Sequence, residues 1–141
     1  MENILFMIHG MWGGGWYWEN YIQYFQELGY RCIAPTLRHH NALNDHIPDP
    51  SLGTTSLLDY AGDLEHEIRQ LPSTPVIIGH SMGGLLAQIL ASRGLARAAV
   101  LLTTAPPAGI SAFTPSVVRS FFNGLTTWGF WRKPIFPTFN E

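Results

Sequence analysis

Val76-Ile77-Ile78-Gly79-His80-Ser81-Met82-Gly83-Gly84-Leu85-Leu86 is the stretch that decides how this chain folds. Its first three residues are β-branched and uninterrupted by polar ones, the pattern of a strand buried on both faces. Leu85, Leu86, Ile89 and Leu90 then recur at helical spacing, with Gly94 placed to end the helix. Gly79 to Gly83 must therefore hold a sharp strand-to-helix turn. A serine at its apex projects its hydroxyl, and the helix N-terminus beneath favours developing negative charge. The spacing Gly-x-Ser-x-Gly is weak evidence alone; the apolar strand before it and the helix after it carry the weight.

Working outward, strands and helices alternate. Ile4 to Ile8 is a continuous apolar run that ends at His9-Gly10 and opens into Met11-Trp12-Gly13-Gly14-Gly15. Trp18, Tyr21, Ile22, Phe25 and Leu28 follow at helical spacing, with Gly29 as C-terminal cap. Arg31 to Leu37 gives a second strand, Cys32-Ile33-Ala34, closed by Pro35, and residues 38–55 read as the longest loop. Ser56 and Asp59 fit a capping box ahead of the stripe Leu57, Tyr60, Leu64, Ile68 and Leu71. Ala98 to Leu102 is a further strand, exposed as an edge. Thr114 caps a helix that Pro115 opens, striped by Val117, Val118, Phe121, Phe122 and Leu125. Alternation of this kind implies an α/β fold with a doubly wound parallel sheet of about four strands. Right-handed crossovers put the first strand between the second and the third. The glycine-rich loop and Ser81 then meet where the strand order reverses, the usual ligand site of such sheets. A backbone N–H of that loop, Met11 first and Trp12 as alternative, can pair with that of Met82 to hold an oxyanion beside Ser81. A phosphate loop competes for Gly10 to Gly15, but neither GxGxxG with a helix start nor GxxxxGK[ST] is present.

Composition excludes other classes. Hydrophobic residues make up 46% and charged residues 13% of the 141, which is not a disordered composition. A net charge of −2 gives nucleic acid no electrostatic footing. The single cysteine, Cys32, lies in an apolar run and reads as a buried thiol, with no disulfide framework. No leader is evident before the first strand, and no run approaches the roughly 18 apolar residues of a membrane span, so a cytoplasmic protein is expected. Residues up to Ser81 hold three basic and nine acidic side chains, and those after it five and one.

His-Gly-Met-Trp-Gly-Gly-Gly after one strand and Gly-His-Ser-Met-Gly-Gly after another resemble the alpha/beta-hydrolase family. The likeness extends through Pro35-Thr36-Leu37-Arg38-His39-His40 and Asp59-Tyr60-Ala61-Gly62-Asp63-Leu64, and covers about residues 3–106. It implies Ser81 as nucleophile, Met11 and Met82 as oxyanion donors, and Gly10, Gly79 and Gly83 as motif glycines. It also implies residues 1–106 as the N-terminal part of the core and 107–141 as the start of a helical cap. The chemistry implied is hydrolysis of carboxylic esters, including monoacylglycerol and lysophospholipid esters; thioesterases and acyltransferases share the pattern. The implied substrate is a small-molecule ester, and no cofactor or metal is implied; the aromatic loop Trp12 to Trp18 and the aromatic C-terminal stretch favour an apolar acyl group. A serine rather than an aspartate at the elbow argues against haloalkane dehalogenase or epoxide hydrolase chemistry.

The chain departs from the family pattern in one respect. The family orders its triad Ser, Asp or Glu, His, yet no histidine follows Ser81 and the only acidic residue after it is Glu141. In family terms the chain runs from the third strand to the sixth strand and first cap helix, which reads as truncation into an inactive fragment or a non-catalytic binding module. Upstream histidines are poor substitutes. His80 is expected to turn away from Ser81; His39, His40 and His46 sit on a loop with local roles; His66 falls on a helix surface. A zinc site from His39, His40 and Asp45 lacks the usual ligand spacing.

Overall fold

The computed structural model of the chain describes residues 2–40, 49–111 and 114–120. Four parallel strands, β1 (Ile4–Ile8), β2 (Arg31–Ile33), β3 (Val76–His80) and β4 (Ala98–Leu102), line up in the order β2-β1-β3-β4. The helices between them are α1 (Glu19–Glu27), α2 (Leu57–Arg69) and α3 (Met82–Ser92), with α4 (Pro115–Ser120) after the last strand. Short 3₁₀ turns occupy Gly15–Trp18 and Pro50–Gly53.

Strand alternation divides the core in two. All five residues of β1 are buried. Phe6 and Ile8 join Tyr60, Leu64 and Ile68 of α2 and Leu86 and Leu90 of α3 in the larger cluster. Leu5 and Met7 face the other way, toward Trp18 and Ile78, with Ile22 and Phe25 of α1 packed against them. Among the described residues only α1 covers this second face, and none of its own residues is fully buried. β4 is exposed along most of its length, Val100 at 43% and Leu101 at 40%, as expected of an open edge.

Helix ends follow local chemistry. The Ser56 hydroxyl accepts the Asp59 N–H, and the Asp59 carboxylate accepts the Ser56 N–H at 2.8 Å, completing the expected capping box. Gly29 and Gly94 adopt φ of 82° and 73°, left-handed conformations that close α1 and α3.

Several expectations need correction. β2 covers Arg31–Ile33, one residue earlier than the expected Cys32-Ile33-Ala34, and beyond Pro35, which has no N–H, the Leu37 N–H is donated to the His9 ring at 3.0 Å. Tyr21 and Leu28 are exposed at 45% and 58%, so the inward stripe of α1 narrows to Ile22 and Phe25. Leu85 and Ile89 of α3 are half-buried, the innermost positions going instead to Leu86, Ala87 and Leu90. Cys32 is half-buried, at the sheet's edge strand. Residues 38–55 are not one open loop: Asp49 accepts the Ser51 N–H and starts the second 3₁₀ turn. Thr114 caps α4 as expected, accepting from the Val117 N–H, while Phe121, Phe122 and Leu125 lie outside the described residues.

Two substitutions test this account of α2. Ser56→Ala should cost about 1 kcal/mol by removing the cap. Gly62→Ala should stabilise by about 0.5–1 kcal/mol, since a methyl there meets open space on a helix. Urea unfolding of both variants measures the two opposite signs.

Candidate active site

The elbow is built by steric necessity. Ser81 sits between β3 and α3 at φ 54° and ψ −118°, a conformation costing an L-residue roughly 1–3 kcal/mol. Its backbone is held on both sides: Ser81 N–H donates to the Leu102 carbonyl at 3.0 Å, and Ala105 N–H donates to the Ser81 carbonyl at 2.9 Å. Gly84 N–H also donates to the Ser81 carbonyl, at 3.0 Å, starting α3. A side chain at Gly79 would strike the Gly83 carbonyl, and one at Gly83 would strike the carbonyls of Ile8 and His9. Gly84 is crowded in the same way by Thr104, whose hydroxyl accepts from Gln88 at 3.2 Å. The second motif glycine therefore lets α3 press onto the end of β1.

That pressure brings the two loops together. A Cβ built on Gly10 would lie 3.1 Å from Ser81 Cβ and 3.2 Å from His80 Nδ1. Met11 and Trp12 form the exposed apex of a turn closed by the Gly13 N–H on the Gly10 carbonyl at 3.1 Å. Met82 follows Ser81 at the start of α3, where the first N–H groups of a helix have no intrahelical acceptor. Gly10, Met11, Trp12, His80, Ser81 and Met82 thus share the carboxyl end of β1 and β3.

The histidines have separate roles. His80 stacks on Tyr17, ring centroids 5.2 Å apart and 20° from parallel. His39 Nδ1 pairs with the Asp49 carboxylate at 2.7 Å, and His40 Nε2 lies 3.2 Å from the Tyr60 hydroxyl. His66 is exposed on α2. His46, Asp45 and Glu141 lie outside the described residues. Among the described residues no histidine nitrogen hydrogen-bonds the Ser81 hydroxyl, and no cluster of three metal-ligating side chains forms.

Sequence reasoning passed over His9, which is fully buried. Its Nδ1 lies 2.7 Å from the Gly10 carbonyl, and its Nε2 accepts the Leu37 N–H. Because the Leu37 N–H can only donate, Nε2 must be bare and Nδ1 must carry the proton. Burial pushes the His9 pKa down to about 4, the Gly10 carbonyl opposing and the nearby His40 adding to the drop. Burial also lowers that of His40, partly offset by a backbone interaction with Gly13.

The fold agrees with what comparisons find. The model of the alpha/beta hydrolase family matches residues 5–141, and the chain belongs to that family. Among solved structures it is similar to an extracellular alpha/beta-hydrolase from a Paenibacillus species, TM-score 0.66 and 21% identity over 86% of this chain and 50% of that one. The thioesterase domain from the curacin biosynthetic pathway gives 0.64 and 28%, covering 88% and 45%. A pyrethroid hydrolase from Sphingobium faniae JZ-2 gives 0.59 and 20%, covering 74% and 40%. The chain spans half or less of the length of these structures. Comparison with curated protein sequences finds no match. Among the described residues no helix is long and apolar enough to cross a membrane.

Two measurements probe this geometry. Gly83→Ala should cost about 3 kcal/mol or more in urea unfolding, since the added methyl meets β1 backbone that cannot move aside. The second is stability against pH. A histidine whose folded pKa is depressed gives stability that is fully present above about 6.5 and lost as pH falls toward about 4, on the order of 3 kcal/mol. His40 adds in the same direction. Asp49, Asp59 and Glu65, held below the usual carboxylate range by hydrogen bonds to Ser51, Ser56 and Arg69, lose their share only in more acidic solution. His9→Asn should flatten the curve between pH 6.5 and 4.

Proposed function

We propose that this chain carries the nucleophile and oxyanion hole of a serine hydrolase acting on carboxylic esters. Ser81 Oγ attacks the ester carbonyl carbon, and the carbonyl oxygen, now negative, accepts the N–H groups of Met11 and Met82. The hydroxyl proton passes to a base and on to the departing alkoxide, and water then releases the acid from the acyl-serine. One observation carries the reading: the strained Ser81 backbone at the head of α3, with Gly10 packed against its side chain. Preorganised N–H donors of this kind are worth about 10²–10³ in rate each.

The exposed side chains of Met11, Trp12, Trp16 and Tyr17 on this rim support an apolar acyl group, as in monoacylglycerol or lysophospholipid esters. The similarity to a thioesterase domain at 28% identity supports acyl thioesters as the alternative class. Residues 107–141 are assigned to the start of a cap over this rim. The general base is not among residues 82–141, which contain no histidine. Ser81 of the 141-residue chain is therefore assigned slow intrinsic reactivity, sustained by oxyanion binding alone.

Labelling with an alkyl fluorophosphonate tests this. The chain should label slowly at Ser81, added imidazole should raise the rate several-fold, and Ser81→Ala should abolish it. Equal labelling of Ser81→Ala, or none of the parent chain under prolonged exposure with imidazole, refutes the reading.

A further inference from the structure

We propose that Thr103 is a substrate-contacting residue of the same site, its hydroxyl donating to the alkoxy oxygen of an ester bound at Ser81. The inference deepens the ester-hydrolase reading and rests on it for the identity of the ligand.

Thr103 stands where β4 leaves the sheet, as Ser81 stands where β3 does. The last register pair of the two strands is His80 with Leu102, so the next pair along the ladder is Ser81 with Thr103. Opposed residues of parallel strands project to the same face. Both members of this pair leave the extended conformation in the same sense, Ser81 at φ 54° and Thr103 at φ 42°. The Leu102 carbonyl accepts the Ser81 N–H at 3.0 Å, which holds the Thr103 α-carbon within about 6 Å of the Ser81 nitrogen. Beyond Thr104, the Ala105 N–H returns to the Ser81 carbonyl at 2.9 Å. Thr103 and Thr104 thus span a short arch, bonded at both ends to the serine's own backbone.

The arch sends its two side chains to different places. Thr104 faces α3: its hydroxyl oxygen accepts from Gln88 at 3.2 Å and crowds Gly84. Thr103 is exposed, and among the described residues nothing hydrogen-bonds its hydroxyl. A β-branched residue at positive φ is a costly conformation, and it persists only where the surroundings over-determine it, typically at ligand sites. Here the two bonds to Ser81 enforce it. His39, also at positive φ, has its ring paired with Asp49. The strand order β2-β1-β3-β4 puts the glycine-rich loop on one side of Ser81 and Thr103 on the other. With the ester carbonyl oxygen drawn to the Met11 and Met82 N–H groups, the alkoxy oxygen is assigned to the β4 side. A hydroxyl donor there stabilises the negative charge that develops on that oxygen as the alkoxide departs.

Three variants separate backbone strain from ligand contact. Thr103→Gly relieves the strain and removes the hydroxyl, Thr103→Val keeps the strain and shape without the hydroxyl, and Thr103→Ser keeps the hydroxyl. In urea unfolding Thr103→Gly should raise the folding constant about threefold or more, relief outweighing the freedom glycine gains when unfolded, while Thr103→Val stays within about twofold. Ester binding is read by NMR titration with ethyl hexanoate on the 141-residue chain carrying Ser81→Ala, which holds the ester without turnover. The Thr103 methyl signal should shift as the ester binds. Adding Thr103→Val should weaken binding about fivefold, and adding Thr103→Ser less than twofold. A Thr103→Gly chain no more stable than the parent, a Thr103 methyl signal unmoved by the ester, or equal binding by Thr103→Val overturns the proposal. Fluorophosphonate labelling of the parent chain judges the other reading: no labelling, together with ester binding that depends on the Thr103 hydroxyl, refutes the serine-hydrolase chemistry alone.

Discussion

Backbone packs against backbone where α3 meets the end of β1, and the rest of the site depends on that contact. Gly83 lies against the carbonyls of Ile8 and His9 with no room for a methyl group, and Gly79 is covered by the Gly83 carbonyl. With the helix start forced this close to the strands, the chain between β3 and α3 has to reverse within one residue. Ser81 absorbs the reversal at positive φ, its N–H tied to Leu102 at the end of β4 and its carbonyl to Ala105 just beyond. The strain is therefore paid by β1, β3, β4 and α3 together. Loosening any of these contacts lets the serine relax into an ordinary helix start, where its hydroxyl no longer stands clear of the turn.

The same contact explains why the glycine-rich loop matters. β1 ends under Gly83, and its continuation, His9-Gly10, has to leave the sheet beside Ser81. His9 turns its ring into the core and Gly10 keeps its α-carbon against the serine. Two loops far apart in sequence thus become one surface. The two core halves support this surface unequally. α2 and α3 give one face of the sheet a large cluster, whereas α1 alone covers the other among the described residues, and β4 is exposed. The structures it resembles have about twice its length.

Much of this was legible in the residues. Continuous apolar runs marked β1 and β3, Ser56 and Asp59 marked the start of α2, and Gly29 and Gly94 marked helix ends, because each signal acts within a few residues. Strand order followed from the handedness of crossovers. The end of β2 was marked by Pro35 to within one residue, but the destination of the Leu37 N–H, a ring 28 residues away, was not legible. The face of α1 was misjudged at Tyr21 and Leu28 because spacing alone does not say how wide the covered stripe is. His9 gave no signal as a site residue: a histidine between an apolar strand and a glycine has no readable tautomer until both of its partners are placed. The chemistry assigned to Ser81 comes from its pattern and family, and the geometry of the elbow supports it.

The most direct measurement is a crystal structure of the chain after reaction with an alkyl fluorophosphonate. Phosphorus bonded to Ser81 Oγ is expected, with the phosphoryl oxygen within hydrogen-bond distance of both the Met11 and the Met82 N–H. An adduct on another residue, or a phosphoryl oxygen directed away from both N–H groups, would contradict it.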